Sequence, residues 1–446
     1  MHGDRRTGEV RSAVGAVVLN TVGTREGGFL RTNGVLHADA VPLRAIAAAV
    51  GTPCYVYSAN VIRSRYQMLA EAFDGVEHRI HYAMKANSSL SILRLLHGLG
   101  AGVDIVSGGE LHRAQRAGIP GGAVVFSGVG KTAGEIAQAL DAGIALINVE
   151  SEAELLAINT IAAQRGTVAS VALRINPEVT VASPHEYIKT GEKGQKFGIP
   201  RDAIAHVGAL ISDLPHVALR GMGMHLGSQI VNAEPMREAL PRLLDAVAMM
   251  RTQGHQLVSL DVGGGLAVPY APGDASADLT DYAQLIRDAV RASGLRLMLE
   301  PGRFLVAEAG VLLTEVLYRK HAAGKDIVVT DAAMNDLLRP ALYGAHHEIE
   351  AVDDTAGAIV ADVVGPVCES GDFFAKGRPM ADVQAGALLA VRTAGAYGFV
   401  MASNYNSRPR AAEVLVDSDR FAVITEREAI DDLTRRECVD LQWRTN

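Results

Sequence analysis

Cysteine and long apolar runs are scarce in this chain, and each scarcity excludes a class of protein. Its 446 residues include three cysteines, Cys54, Cys368 and Cys438, an odd number at wide spacing that fits neither a disulfide framework nor a zinc site. We therefore expect a reducing, cytoplasmic environment and no bound metal. No uninterrupted apolar stretch approaches the roughly 18 residues that span a bilayer, so no membrane partner is expected.

Basic charge and aromatic residues are also in short supply. The 42 lysines and arginines are outnumbered by 50 aspartates and glutamates, which gives a formal net charge of -8. Because a nucleic acid or an anionic membrane favours a basic face, neither is predicted as a partner, whereas small polar substrates stay open. A hydrophobic content of 48% with only 5% aromatic residues is typical of an α/β protein built on Ala, Val, Leu and Gly.

A repeated alternation of β-rich runs and Ala/Leu-rich helical patterns begins at Arg79 and continues to about Arg303. The predicted strands are Arg79–Met84, Val103–Val106, Val124–Phe126, Leu146–Val149, Ser170–Ile175, Arg220–His225, Val258–Val262 and Arg296–Leu299. Eight parallel strands separated by helices close naturally into a barrel. The predicted fold is α/β, an eight-stranded parallel β/α (TIM-like) barrel plus a mostly β C-terminal domain that also takes up the N-terminal segment.

The pattern changes beyond Arg303, where strand-like runs are separated by Gly, Asp and Pro. These runs are Val311–Tyr318, Asp326–Thr330, Ala358–Val364, Ala387–Arg392 and Ala412–Val416. Before the barrel, the sequence predicts a helix at Leu43–Val50 and a strand at Cys54–Tyr57. The predicted organisation is an extension of unknown role at 1–27, a segment contributing to the β domain at 28–50, the barrel at 51–305 and the β domain at 306–446.

Residues able to do chemistry follow nearly every predicted barrel strand. The strand ends are Lys85, Ser107, Ser127, Glu150, Arg174, His225, the triplet Gly263-Gly264-Gly265 and the run Glu300-Pro301-Gly302-Arg303. A lysine at such a position is either a surface charge, the commoner case, or an amine that reacts with a carbonyl cofactor. The residues at the other strand ends distinguish between these interpretations.

A phosphate site is often built by the loops after strands seven and eight of a β/α barrel. Here those loops carry the three glycines, whose N–H groups can approach a phosphate closely, and Arg303, which can make a bidentate contact. Taken alone, the glycines could simply form a tight turn, and Arg303 could simply be a surface arginine. Their coincidence at the expected strands favours a phosphate site.

A phosphate-bearing carbonyl cofactor beside a strand-end lysine indicates pyridoxal 5′-phosphate bound to Lys85. Glu300 is the acidic residue nearest the phosphate site, and a carboxylate at the ring nitrogen favours loss of CO2 or a proton from Cα. His225 is predicted against the ring face and Ser228 near the phosphate. A single strand-end histidine is more often a packing or hydrogen-bonding residue.

Four motifs resemble those of the fold-type III pyridoxal-phosphate decarboxylases. They are residues 82–87 around Lys85, 225–229 around His225, 263–265 and 300–303, in order within a resemblance that spans residues 28 to about 425. Within that group the chain resembles the diaminopimelate decarboxylases. The stretches that carry this finer resemblance are residues 185–191 with 196–199, 334–343, 364–372 and 394–399.

The resemblance implies a role for individual residues. The catalytic set is Lys85, Cys368 and His225, with Cys368 as the proton donor to the substrate carbon. The cofactor-binding set is Lys85, His225, Ser228, Gly263, Gly264, Gly265, Glu300, Gly302, Arg303 and Tyr397. The substrate-binding set is Arg303, Arg339, Tyr343, Glu369 and Tyr397. The resemblance also implies a homodimer, because the Cys-Glu loop of this family reaches into the neighbouring subunit's site.

The resulting hypothesis is a carboxy-lyase that converts meso-2,6-diaminopimelate to L-lysine and CO2. Arg339 and Glu369 would bind the distal carboxylate and ammonium groups of that substrate. Alternatives are a related decarboxylase of lysine, ornithine or a secondary-metabolite intermediate, and a non-catalytic regulatory homologue. A racemase is disfavoured because its ring nitrogen meets a cation rather than a residue such as Glu300.

Overall fold

The N-terminal segment forms a small antiparallel sheet and a helix. The computed structural model describes residues 28–180 and 194–444, so the predicted extension at 1–27 and the motif at 185–191 lie outside the described residues. The first elements are β1 (Phe29–Thr32), β2 (Val35–Ala38), β3 (Val41–Pro42), α1 (Leu43–Val50), β4 (Cys54–Ser58) and α2 (Ala59–Ala72). The Leu36 N–H donates to the Val352 carbonyl at 2.7 Å, which joins this small sheet to the C-terminal domain.

Eight parallel strands then close into a barrel, which confirms the predicted fold class. They are β5 (His78–Ala83), β6 (Gly102–Ile105), β7 (Val124–Phe126), β8 (Leu146–Val149), β9 (Ala169–Ile175), β10 (Val217–Met224), β11 (Ser259–Asp261) and β12 (Arg296–Leu299). The last strand returns to the first, with Leu297 opposite His78. The predicted strands differ from these by no more than a few residues at either end.

Helices cover the outside of the barrel. They are α3 (Leu90–Gly98), α4 (Gly108–Arg116), α5 (Ala133–Asp141), α6 (Glu152–Gln164), α7 (Ile204–Ser212), α8 (Glu234–Thr252) and α9 (Leu279–Ser293). The first four begin within seven residues of the strand that precedes each, and the last three follow longer connections. Four of these helices begin at a side-chain cap. Ser107, Thr132 and Ser151 each accept the N–H of the residue three positions on, and Asp278 accepts the N–H of Thr280. No helix in the described ranges is long and apolar enough to cross a membrane.

The C-terminal region is mostly β, and its eight strands form one nine-stranded sheet together with β4. After α10 (Arg303–Val306) come β13 (Gly310–Ala322), β14 (Lys325–Thr330), α11 (Arg339–Tyr343), β15 (Ile349–Ala351), β16 (Ala358–Val364), β17 (Phe373–Ala381), β18 (Leu388–Val391), β19 (Ala412–Asp417), β20 (Arg420–Thr425) and α12 (Ile430–Thr434). The main path of the sheet runs β17-β16-β14-β13-β4-β19-β20, and β18 pairs with both β13 and β15.

One predicted boundary differs from the structure. The barrel was expected to start at residue 51, but β4 pairs antiparallel with β13 and parallel with β19. The strand therefore belongs to the C-terminal sheet, and the barrel begins after Ser58. The cause is that both partners of β4 lie far along the chain, so no local pattern around Cys54 identifies its sheet.

The barrel and the β sheet meet where the backbones of two glycines touch. A Cβ atom on Gly395 would lie 1.9 Å from the Val306 carbonyl oxygen, and one on Gly310 would lie 2.5 Å from the Gly395 Cα atom. Both glycines therefore permit a main-chain approach that other residues would prevent. The Gly395 N–H donates to the Ala307 carbonyl at 3.0 Å, which fixes the junction.

We expect Gly395→Ala to destabilise the fold by about 2 kcal/mol or more, because the new methyl group overlaps a packed carbonyl. Urea denaturation of the purified variant measures this change. Gly134→Ala is the matched control, since a Cβ there meets nothing within 4 Å and the residue lies in α5. The control should keep or slightly raise the stability, and equal stabilities of Gly395→Ala and the wild type would contradict the packing argument.

Candidate active site

A cavity of about 380 Å³ lies between the C-terminal ends of the barrel strands and the β domain. Its volume is within the range of small-molecule sites. The barrel and the β domain both contribute to its lining, which includes Lys85, His225, Ser228, Tyr270, Arg303, Arg339, Tyr343 and Tyr397. Seven of these eight residues were predicted as site residues, and Tyr270 was not.

Lys85 stands directly beyond β5, in one turn of 3-10 helix at Met84–Ala86. Its Nζ atom lies 3.2 Å from Asp104 Oδ2. The Lys85 side chain is 38% exposed to solvent and lines the cavity. Burial acts to lower the pKa of Lys85, but attraction to Asp104, then to Tyr397 and Glu300, raises the pKa above its usual value. The amine is therefore held charged beside the cavity until another group displaces Asp104.

Glu300 follows β12 and is buried among other polar side chains of the barrel interior. Its Oε1 atom accepts hydrogen bonds from Asn148 Nδ2 at 3.2 Å and Ser127 Oγ at 3.4 Å. Burial, followed by repulsion from Asp104 and Asp261, raises the pKa of Glu300 well above its usual value. A buried carboxyl that holds a proton can share that proton with a basic ring nitrogen.

The glycine triplet packs backbone against backbone at the strand ends. A Cβ atom on Gly264 would lie 2.1 Å from the Glu300 carbonyl oxygen, and one on Gly265 would lie 2.1 Å from the Gly227 carbonyl oxygen. Gly263 and Gly265 also have positive φ angles of 71° and 91°. Only glycine fits these positions without a shift, so the triplet holds the loops after β10, β11 and β12 together.

His225 lies at the end of β10, where its ring is held by the same glycine loop. Its Nδ1 atom accepts a hydrogen bond from the Gly264 N–H at 3.2 Å, so the proton of the neutral imidazole is on Nε2. Burial, then the charges of Arg174 and Lys85, lowers the pKa of His225 well below its usual value. The ring is therefore uncharged and suited to pack against a planar ligand.

Arg303 begins α10 and is buried at the wall of the cavity. Its guanidinium donates to Ser228 Oγ at 3.2 Å and to the Tyr270 hydroxyl. The same group lies 4.8 Å from the centre of the half-buried Tyr397 ring. A Cβ atom added to the preceding residue, Gly302, would lie 3.1 Å from the Ala86 Cβ atom. This turn therefore packs closely against the loop that carries Lys85.

Arg339 begins α11 and supplies a second buried guanidinium to the cavity. The group lies 4.3 Å from the centre of the Tyr270 ring and donates to His347 Nε2 at 2.8 Å. His347 Nδ1 in turn donates to the Arg392 carbonyl at 2.8 Å. Burial, then the charge of Arg339, lowers the pKa of His347 to about 3, so the histidine is a neutral acceptor that orients the arginine.

Seven predicted site residues are not among the residues that line this cavity. Gly263, Gly264, Gly265, Glu300 and Gly302 neighbour the lining residues His225, Lys85 or Arg303 at the strand ends, whereas Cys368 and Glu369 lie on a separate loop. They stand exposed at the tip of the loop between β16 and β17. Asp372 anchors the base of the loop by accepting the Met334 and Val367 N–H groups, each at 2.7 Å. The loop is thus fixed at its base and presents a thiol and a carboxylate outward.

Sequence reasoning missed three residues that shape the site. Asp104 was visible in principle, because it is a charged residue inside the apolar run Val103–Val106 that was predicted as a strand. Tyr270 lies in a loop with no periodic pattern. His347 does not line the cavity itself but contacts two residues that do, Arg339 and Tyr270, whose ring centre lies 5.2 Å from that of His347. No group of three or more potential metal ligands occurs in residues 28–180 and 194–444.

Comparison with known proteins places this geometry in a family. The sequence model described as "Pyridoxal-dependent decarboxylase, pyridoxal binding domain" matches residues 59–307, which are the barrel and its two flanking helices α2 and α10. Diaminopimelate decarboxylase of Pseudomonas fluorescens is 47% identical over 408 residues, covering 91% of this chain and 97% of the relative. The chain belongs to the diaminopimelate decarboxylase family.

Solved structures of this family share the whole fold. Diaminopimelate decarboxylase from Helicobacter pylori, determined in complex with L-lysine, has a TM-score of 0.85 at 42% identity, covering 89% of this chain and 99% of the other. The enzyme from M. jannaschii has a TM-score of 0.88 at 36% identity, covering 92% and 98%. Both comparisons include the β domain, which supplies Arg339 and Tyr397, as well as the barrel.

The pH dependence of stability tests the neutral state of His347. An unfolded histidine has a pKa of about 6.5, so below that pH the unfolded chain binds the extra proton and the stability contributed by His347 falls. With a folded pKa of about 3, the wild type should lose about 1 kcal/mol more than His347→Gln between pH 6 and pH 5. Denaturant titrations at both pH values measure this difference.

The matched control is His112→Gln, which removes an exposed histidine of α4. It should follow the wild-type pH dependence. If His347→Gln also followed the wild type, His347 would titrate alike in the folded and unfolded chains, and its assignment as a neutral acceptor for Arg339 would be wrong.

Proposed function

We propose that this chain decarboxylates meso-2,6-diaminopimelate to L-lysine and CO2, with pyridoxal 5′-phosphate as cofactor and two subunits sharing each active site. One observation carries the proposal: two buried guanidinium groups, of Arg303 and Arg339, line one cavity with Lys85. A substrate with a carboxylate at both ends uses two such cations. Lysine and ornithine carry a single carboxylate and would leave one buried arginine unpaired.

The residues of the cavity fit pyridoxal phosphate. Lys85 supplies the amine for covalent attachment. The N–H groups of Gly263 and Gly264 donate to Asp261 Oδ1 and His225 Nδ1, so Gly265 is the member of the triplet whose N–H we assign to a phosphate. Ser228 adds a hydroxyl beside the glycine loop. When bound, the cofactor accepts the electron pair that remains on Cα as CO2 departs.

Glu300 and His225 control the electronic environment of that cofactor. The pKa of Glu300 is raised by burial and by the neighbouring Asp104 and Asp261, so this carboxyl could hold a proton for a hydrogen bond to the ring nitrogen of the bound cofactor, which would favour carbanion chemistry at Cα. The uncharged imidazole of His225 supports the ring face without adding a positive charge. Attachment of the cofactor would require the neutral amine of Lys85, so the proton that Lys85 carries beside Asp104 would have to pass to an acceptor such as Asp104, which stays buried inside the barrel.

Substrate orientation follows from the β domain. Arg339, held by His347 and the Tyr270 ring, would bind the distal carboxylate of the substrate, and Glu369 would bind the distal ammonium group. Arg303 with Tyr343 and Tyr397 would bind the carboxylate nearer the reaction. Diaminopimelate has both a carboxylate and an ammonium group at its distal end, whereas lysine has only the ammonium group there. Recognition of both charges therefore selects diaminopimelate over lysine as the substrate.

Reprotonation of Cα requires an acid in the cavity after CO2 has left. Cys368 is assigned this role, with its thiol proton passing to Cα. Because Cys368 and Glu369 are exposed at a loop tip outside the cavity of their own chain, we infer that each loop enters the cavity of a partner subunit. The dimer is therefore required for activity.

Replacement of Arg339 tests the substrate assignment. We expect Arg339→Ala to raise the KM for diaminopimelate by about 30-fold or more, because a charge-assisted contact is lost. The visible absorbance of the bound cofactor should not change. Arg420→Ala removes an exposed arginine of the same domain and serves as the control. Release of CO2 from lysine or ornithine at a rate equal to that from diaminopimelate would disprove the proposed specificity.

Subunit mixing tests the shared active site. Lys85→Ala and Cys368→Ala should each be inactive, but mixing them under conditions of subunit exchange should restore up to about a quarter of the wild-type activity through mixed dimers. Mixing Lys85→Ala with Arg303→Ala is the control, since both residues come from one chain and no intact site can form. Absence of activity in the first mixture, with mixed dimers present, would assign Cys368 to its own chain's site.

A further inference from the structure

A second cavity, of about 320 Å³, lies at the opposite end of the barrel from Lys85. It is bounded by the N-terminal ends of the barrel strands, and no part of the proposed reaction uses it. Its polar lining consists of Arg79, His81, Ser170, Arg220, Ser259 and Arg296. We call this space the lower cavity.

Three arginines surround the lower cavity, and their charges are only partly balanced. Arg296 Nε lies 2.6 Å from Glu77 Oε1, which neutralises one guanidinium. Arg79 has only a long, 3.4 Å contact to the Gly122 carbonyl oxygen. The Arg220 side chain has no hydrogen-bond or ion-pair partner among the described residues. The lower cavity therefore has an excess of about two positive charges in a chain whose net charge is -8.

A buried histidine in the lining has an unused polar atom. His81 is only 3% exposed, and its Nδ1 atom has no hydrogen-bond partner in the described part of the chain. Burial and the charge of Arg79 lower the pKa of His81 to about 3, so the imidazole is neutral and can donate one hydrogen bond. A buried polar group without a partner calls for an explanation, and a ligand in the cavity supplies one.

The floor of the lower cavity separates it from the active site. Leu146 and Met298 line the cavity and pack with Val125 and Ala172 in an apolar layer across the barrel interior. Asp104 and Asp261 lie beyond this layer, on the side of Lys85. A ligand in the lower cavity would thus meet the arginines and serine hydroxyls without meeting the buried acids.

We propose that the lower cavity binds a small dianion, either a phosphate monoester or a dicarboxylate. Arg79 and Arg220 supply the two unbalanced charges, and guanidinium groups bind both phosphate and carboxylate in a bidentate manner. Ser170, Ser259 and His81 supply additional hydrogen bonds. The volume suits a small metabolite, and the apolar floor accommodates its carbon atoms.

Calorimetric titration of the cofactor-loaded dimer tests this proposal, because the bound cofactor already fills the phosphate site at the other end of the barrel. Inorganic phosphate and succinate serve as separate probes, with sodium chloride at matched ionic strength as the reference. We expect at least one probe to bind, and Arg220→Gln to weaken its Kd at least tenfold. Arg94→Gln, which removes an exposed arginine of α3, is the matched control and should keep the wild-type Kd.

Each outcome has a defined meaning. Binding of phosphate alone identifies a phosphoryl ligand, binding of succinate alone identifies a dicarboxylate, and binding of both identifies a general dianion site. Each of these results supports the site if Arg220→Gln weakens the binding at least tenfold. Arg79→Gln provides a second variant should Arg220→Gln fail to fold. If succinate binding survives both variants and disappears in Arg339→Ala, the probe occupies the active site, and the proposal is overturned. Absence of binding by both probes overturns it as well.

Discussion

The active site depends on one main-chain contact between the two domains. The Tyr397 N–H donates to the Ala86 carbonyl at 2.8 Å, and Asn87 Nδ2 donates to the Gly395 carbonyl at 3.2 Å. These bonds join the loop after β18 to the turn that carries Lys85. Because one side of the cavity belongs to each domain, a shift at this contact would separate Lys85 from Arg339.

Opposite charges inside the barrel determine the protonation states of the site residues. Asp104, Asp261 and Glu300 are all buried, and their mutual repulsion favours the protonated form of Glu300. Lys85 offsets the charge of Asp104. The β domain instead buries a cation, because Arg339 faces the Tyr270 ring and the neutral His347 and has no carboxylate beside it in these contacts. The cavity is thus acidic beside Lys85 and basic beside Arg339.

Much of this arrangement could be predicted from the sequence, and the reasons are physical. The C-terminal ends of parallel strands meet at one edge, so Lys85, His225 and Arg303 could be grouped before any coordinates were available. The sheet of β4 could not be assigned, because its partners are distant in sequence. β20 is largely exposed and lacks the alternation of a half-buried strand. Cys368 is exposed on a loop outside the cavity of its own chain, and no local pattern around it indicates its distance from Lys85.

The position of β4 has a consequence for how the protein folds. This strand precedes the entire barrel in the sequence, yet in the sheet it pairs with both β13 and β19. The ribosome therefore synthesises both of its partner strands only after the barrel residues. During synthesis, Tyr55 and Tyr57 must remain unpaired while the barrel forms, although both are fully buried in the finished protein. Closure of the sheet around β4 is a long-range event and therefore slow. The same late step brings the Tyr397 loop onto Lys85, so a newly made chain becomes competent for catalysis only when its last strands have docked.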